Sequence, residues 1–227
     1  MSKIAIFDLD LTITKQATWT RFLIFVNGAR PAFWLRFLHI IAQGAAYKIG
    51  LASRDSVKVV SLRALSHLSR EELEAKSAAF IARELDGRLR PGAVAAIRWH
   101  QENGHRLVIA TASVDLVADE LGRALGFDDV IATRLDWTQD GASRPPRLLG
   151  NNCYGAEKLR RFEESGIVNP GYAYSDHITD LAMLQMAEHG IAVNPSAGLR
   201  KAAQKTGMTI ADLNTDDISF LTNEPTK

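Results

Sequence analysis

Short apolar runs of strand length recur along the chain, and each gives way to polar or small residues before a helical pattern begins. They fall at 3–7, Arg106–Ala110, Tyr172–Tyr174 and Gly190–Val193. Runs this short and this continuously apolar suit strands covered on both faces, as in a parallel sheet. Helical patterns follow at Asp115–Leu125, Ile178–Ala187 and Ser196–Thr206. Another, Pro91–Asn103, precedes the second run, with proline at its start and Gly104 just past its end. Alternation of this kind predicts an α/β fold built on a doubly wound parallel sheet.

Residues 15–88 break the alternation, because they read as helix throughout. Candidate helices lie at 17–27, 31–49, 54–66 and 70–86, the last opening on the capping-box pattern Ser69-Arg70-Glu71-Glu72. The expected organisation is therefore an α/β core of residues 1–14 and 89–227 with an all-α domain, 15–88, inserted after the first strand. A smaller excursion, Thr133–Gly155, carries Asp140-Gly141 and Pro145-Pro146, turn chemistry that suggests a hairpin or loop. The apolar stretch 19–51 is interrupted by Arg21, Arg30, Arg36 and Lys48, and no uncharged run within it approaches the ~20 residues of a membrane span.

Composition excludes little. An apolar share of 46% suffices for a core, and 23% charged residues is ordinary for a globular chain. A formal net charge of +1 gives no reason to expect nucleic acid as a partner. The single cysteine, Cys153, forms no internal disulfide and reads as a small buried residue. With no leader pattern ahead of the first strand, the expected location is cytoplasmic.

Function enters through the carboxylates. The first strand runs straight into Asp8, Asp10 and Thr12, and charges beside a core are costly unless something pairs with them. Open parallel sheets bind ligands at the carboxyl ends of their strands, near a switch in strand order. Thr111, Ala112 and Ser113 follow the second strand, and Ser175, Asp176 and Asp180 follow the third. Lys158 sits in the first turn of a helix just ahead of that third strand. If these ends share one edge, four carboxylates, an ammonium and several hydroxyls meet in one pocket. Such a set suits phosphoryl transfer through a carboxylate nucleophile, with Mg²⁺ as the hard cation that crowded carboxylates call for.

Asp8-Leu9-Asp10-Leu11-Thr12, Thr111, Lys158 and Ser175-Asp176-His177-Ile178-Thr179-Asp180 resemble, in order, the four motifs of the haloacid dehalogenase-like phosphatases. The helical insertion looks like the C1 cap of the branch that contains phosphoserine phosphatase. Tyr174-Ser175-Asp176, Asp180 to Leu184 and Ala192-Val193-Asn194-Pro195 are similar to that IB-type branch. The resemblance implies that Asp8 is nucleophile and metal ligand, and that Asp10 is general acid/base with its backbone carbonyl on the metal. It implies that Thr12, Thr111, Ala112 and Lys158 hold the phosphoryl group, that Asp176 binds Mg²⁺ and that Asp180 supports that shell. His177 is expected as a pocket-edge or solvent-facing side chain rather than as a ligand. The fold also hosts phosphotransferases and could be kept by a non-catalytic binding module; the intact acid pair with Lys158 and Asp176 counts against the latter.

The insertion speaks to substrate. No acidic residue lies between Asp10 and Asp55, whereas Lys15, Arg21, Arg30, Arg36, Lys48 and Arg54 are basic. Aromatic residues crowd the same stretch. At ~100° per residue, Trp34, Phe37, Leu38, Ile41 and Ala45 share one helix face, with Arg36, His39 and Gln43 opposite. Such a helix either packs a small core of its own or, with Trp19, Trp34 and Arg36, forms an apolar and basic entrance. The expected substrate is a small-molecule or lipid-like phosphate ester, and the second reading implies the lipid-like one or contact with an anionic membrane. Phosphoserine phosphatases place a glutamate soon after the first motif for the substrate ammonium. Here that neighbourhood, Lys15-Gln16-Ala17-Thr18-Trp19, carries no carboxylate, so phosphoserine is only the runner-up substrate.

Overall fold

The computed structural model describes residues 2–51, 53–137 and 146–222, and for Tyr47, Lys48 and Arg54 the backbone only. Six parallel strands form the central sheet: β1 (Ile4–Phe7), β2 (Arg106–Val114), β3 (Asp129–Thr133), β6 (Tyr172–Ser175), β7 (His189–Val193) and β8 (Thr209–Ala211). Their order is β3-β2-β1-β6-β7-β8. A separate antiparallel ladder joins β4 (Leu135–Asp136) to β5 (Arg147–Leu148). The hairpin expected between Thr133 and Gly155 is thus present at its base. Its turn signals at Asp140, Gly141 and Pro145 lie outside the described residues.

Between Thr18 and Leu85 come α1 (Thr18–Asn27), α2 (Pro31–Lys48), α3 (Arg54–Leu62) and α4 (Arg70–Leu85). The remaining helices are α5 (Pro91–Glu102), α6 (Asp115–Leu125), α7 (Ala156–Glu164), α8 (Leu181–Met186), α9 (Ala197–Thr206) and α10 (Ser219–Thr222). Local chemistry accounts for several boundaries. Ser69 and Glu72 close a reciprocal capping box on α4, Pro91 opens α5, and α6 ends where Gly126 takes the left-handed conformation at φ 72°. The helix expected over 54–66 ends early, at Leu62, and continues as a single 3-10 turn, Arg63–Leu65.

Alternation along the strands divides the core in two. Ala5, Phe7, Leu107 and Ile109 face one cluster, while Ile6, Val108 and Ala110 face the other, so helices cover both sides of the sheet. β3 and β8 were not expected from the sequence. β3 is half apolar, Asp129 and Val130 being only partly buried, and β8 is a three-residue edge strand. β2 also runs four residues beyond the expected end. Its ladder with β3 changes register between Ala110 and Val114, a bulge at the carboxyl end of the strand.

The helical stretch leaves and rejoins the sheet as a zipped pair of chains. Arg90 N donates to Ile13 O at 2.9 Å, Lys15 N donates to Arg88 O at 3.0 Å, and Thr14 bridges Leu89 between them. From there α4 packs on α6, and α2 packs mainly on α3. Phe33 and Phe37 turn α2 toward the core, whereas Trp34, Leu38 and Ile41 on the same nominal face remain exposed. The single apolar face expected for α2 therefore divides: the helix is apolar on its inner and its outer side. Among the described residues, no helix is long and apolar enough to cross a membrane.

Candidate active site

β1 is the strand from which the chain order departs in both directions, β2 and β3 to one side and β6 to β8 to the other. A crevice opens at the carboxyl end of such a strand, and Asp8 is its first residue. Phe7 stacks on Tyr174 of β6 at 4.1 Å between ring centroids, and Asp8 N donates to Tyr174 O at 2.9 Å. The backbone that delivers Asp8 is thereby fixed against the neighbouring strand.

After Asp8 the chain makes one wide π-type turn, Leu9–Ile13, in which Leu11 adopts φ 65°. A non-glycine residue in that region is strained and needs support. Arg90 supplies it by donating from Nε to Leu11 O at 2.9 Å while its guanidinium also reaches Asn214. The turn brings Asp10 back to the start of α1, where its Oδ1 accepts from both the backbone N and the hydroxyl of Thr18, each at 2.7 Å. The carboxylate thus caps orphan donors at the positive end of that helix.

Lys158, in the first turn of α7, is buried and donates to Asp8 Oδ1 and to Asp180 Oδ2, both at 2.8 Å. Ser175 Oγ donates to the same Asp180 oxygen at 2.8 Å, and Thr12 Oγ1 donates to Asp8 Oδ2 at 3.5 Å. Burial pushes Asp8 up to about 7, with Asp180 and Asp10 adding and Lys158 opposing. Asp176 is pushed up to about 6 by burial and then by Asp180. Burial likewise raises Asp10 against the pull of the two Thr18 bonds. Burial alone would lower the Lys158 ammonium, but Asp8 and Asp180 hold it above its ordinary range.

Crowded carboxylates with raised pKa values are what a bound cation would relieve. Among the described residues no three His, Cys, Asp or Glu side chains form a dedicated metal cage. Mg²⁺ does not require one, since it typically takes one or two carboxylates and keeps waters or substrate oxygens elsewhere. Asp8 and Asp176 fit that donor set.

Thr111 lies in β2, two residues beyond the Phe7–Ile109 pair, buried, its hydroxyl accepting from Ser113 N at 3.0 Å. Ala112 follows, and its carbonyl accepts from Thr133 Oγ1 at 2.9 Å and from Lys58 Nζ at 2.8 Å. Lys58 comes from α3, so the helical stretch touches the carboxyl end of β2 directly; its ammonium also lies 5.4 Å from the Trp19 ring centroid. Between α1, α2, α3 and the end of β2 is a cleft of about 380 Å³, lined by Asp10, Trp19, Phe37, Ile40, Lys58 and Asn152 among others. Larger grooves, of about 550, 490 and 440 Å³, lie away from Asp8 beside ion-paired Arg, Asp and Glu side chains.

Of the residues anticipated for substrate selection, Trp19 lines the cleft and donates from Nε1 to Ser61 Oγ at 2.8 Å. Trp34 and Arg36 stand exposed on α2 and are not among its lining residues. His177 bonds Thr179 through Nδ1 at 2.9 Å, at the edge of the carboxylate cluster. Thr18, Lys58 and Arg90 had no sequence signal of their own: Lys58 and Arg90 work through contacts 54 and 79 residues away, and Thr18 meets Asp10 only because the turn after Asp8 folds back on α1.

Over residues 5–185 the sequence matches the haloacid dehalogenase-like hydrolases, and the chain belongs to that family. Protein CicA of Caulobacter vibrioides is 33% identical over 191 residues, which cover 80% of this chain and 82% of CicA. A histidinol-phosphatase of Neisseria meningitidis serogroup C is 24% identical over 226 residues, 92% of this chain and 98% of the enzyme. Among solved structures, a protein with unknown function from Bordetella pertussis Tohama I gives a TM-score of 0.81 at 26% identity, covering 94% of this chain and all of that one (100%).

Proposed function

We propose that the chain is a Mg²⁺-dependent phosphomonoesterase that works through an aspartyl phosphate. The observation that carries this reading is the buried Asp8–Lys158 pair, with Asp10 held by Thr18 two residues further on. Asp8 Oδ1 or Oδ2 attacks phosphorus, and the P–O bond to the alcohol breaks. Asp10, whose carboxyl burial shifts upward, gives a proton to the departing oxygen. It then takes a proton from the water that attacks the aspartyl phosphate, releasing phosphate and restoring Asp8. Lys158, the Thr12 and Thr111 hydroxyls and the backbone around Ala112 hold the phosphoryl oxygens. Mg²⁺, held by Asp8, Asp176 and the Asp10 backbone carbonyl with Asp180 behind them, would offset charge on those oxygens. The histidinol-phosphatase relative supports phosphate-ester hydrolysis as the class.

Residues 15–88 serve in this reading as a cap, and the apolar cleft beside Asp10 receives the alcohol. Trp19, Phe37 and Ile40 favour an apolar or lipid-like leaving group over an amino acid, for whose ammonium residues 15–19 at the start of the cap offer no carboxylate. Turnover of p-nitrophenyl phosphate with added Mg²⁺, its loss with a chelator and its loss in Asp8→Asn test the proposal. Activity retained in a contaminant-free Asp8→Asn preparation would overturn it.

A further inference from the structure

Among the described residues, nothing covers one apolar face of α2. Phe33, Phe37 and Ile40 anchor its inner side in the core. On the outer side Leu35 is 75% exposed and Leu38 63%, and Ile49 and Leu51 just beyond are 72% and 79% exposed. At ~100° per residue, Leu35, Leu38, Ala42, Ala45 and Ile49 fall on one stripe opposite the anchors. A helix at a water boundary carries polar residues on its outer face, and a helix apolar all round is normally buried. Contiguous exposed apolar surface of this kind marks an interaction site.

Two further observations indicate what covers it. From Leu11 to Arg54 the chain has no Asp or Glu, and Arg30, Arg36 and His39 stand exposed along the same helix and the turn before it. A second copy docking face to face would set these acid-free, basic surfaces against each other, whereas an anionic surface complements them. The apolar stripe also leads into the active-site cleft, since Ile41 is both exposed and one of the cleft's lining residues, next to Phe37 and Ile40. We propose that the outer face of α2 docks on an anionic lipid surface and that a phosphate ester with an apolar alcohol enters the cleft from that surface past Ile41. Docking stands on α2 alone, while delivery of an ester rests on the phosphatase reading above.

The test uses the full chain with vesicles of phosphatidylcholine, with and without phosphatidylglycerol. The parent protein should sediment with the phosphatidylglycerol vesicles, less so as salt rises. Leu35→Glu with Leu38→Glu, both solvent-exposed, should weaken that binding by about tenfold or more. The same variant should hydrolyse soluble acetyl phosphate at the parent rate, which also shows that it folds. It should lose turnover of a long-chain alkyl phosphate embedded in the vesicles. No vesicle binding by the parent would overturn the proposal, and so would a concentration-dependent dimer abolished by the same substitutions. Vesicle binding without turnover of either substrate would uphold docking and overturn the phosphatase reading.

Discussion

Lys158 Nζ lies 2.8 Å from Asp8 Oδ1, closing a contact across 150 residues of chain. Both groups are buried, and the ammonium is shared with Asp180. Removing one member of such a cluster leaves uncompensated charge. Lys158→Ala should cost about 3–5 kcal/mol of stability by denaturant titration. Turnover should fall by roughly 10²–10³-fold, as expected when a donor to the developing charge is lost. Parent-like turnover would remove Lys158 from the phosphoryl site.

Asp10 is expected to serve twice, on the leaving oxygen and on water. Asp10→Asn should therefore slow formation and hydrolysis of the phosphorylated enzyme, each by about 10²–10⁴-fold, in rapid-quench measurements. Thr18→Val removes one of its two anchors, the hydroxyl at 2.7 Å, and leaves the backbone N–H. A loss of about tenfold in kcat with little change in KM is the expected result, since one charge-assisted hydrogen bond is worth ~1.5–3 kcal/mol at most. A KM effect alone would mean that Thr18 acts on substrate rather than on Asp10.

The motif carboxylates were legible because each follows a short apolar strand, and strand ends in a parallel sheet share an edge. Asp8 and Asp176 needed no tertiary information beyond that rule, whereas Lys158, in the first turn of α7, stood out only through its place in the motif set. Lys58 was not legible: its bond to Ala112 O joins α3 to the end of β2, 54 residues away. Nor was Arg90, whose task is to hold a left-handed turn at Leu11 that nothing in the residue type announces. β8 escaped because an edge strand of three residues is partly exposed and carries no apolar run. On α2 the periodicity gave a helix, but a helix apolar on both sides does not reveal which side faces in.

Lys58 reaches from the proposed cap to Ala112 O, next to Thr111 at the end of β2. Lys58→Met keeps the stem beside Trp19 and removes the hydrogen bond. It should lower kcat/KM for esters that fill the cleft by about tenfold, the worth of one such bond. Acetyl phosphate, which does not reach the cleft, should change less. Equal loss on both substrates would place Lys58 in core chemistry instead.

Behind the sheet, His100 Nε2 and Tyr174 OH lie 2.9 Å apart, and burial, then His105, pushes His100 from 6.5 down to about 3. The folded state thus keeps the ring neutral while the unfolded chain protonates it. Its contribution to stability is fully present above pH 6.5 and is lost as pH falls toward 3, by the order of a few kcal/mol. Urea midpoints measured against pH should fall over that window. In His100→Gln the fall should be shallower, although the variant is less stable at neutral pH. An unchanged slope would show that other groups set the acid limit.

The central claim is that phosphorus becomes bonded to Asp8 during turnover. Borohydride added to the enzyme at steady state with substrate and Mg²⁺ would reduce an aspartyl phosphate to homoserine, which peptide mass spectrometry can locate. The account predicts homoserine at position 8, dependent on substrate and Mg²⁺, with Asp10 and Asp176 unmodified. Ongoing phosphate release with no modification at Asp8 would contradict it, and direct attack by water would have to replace the covalent route.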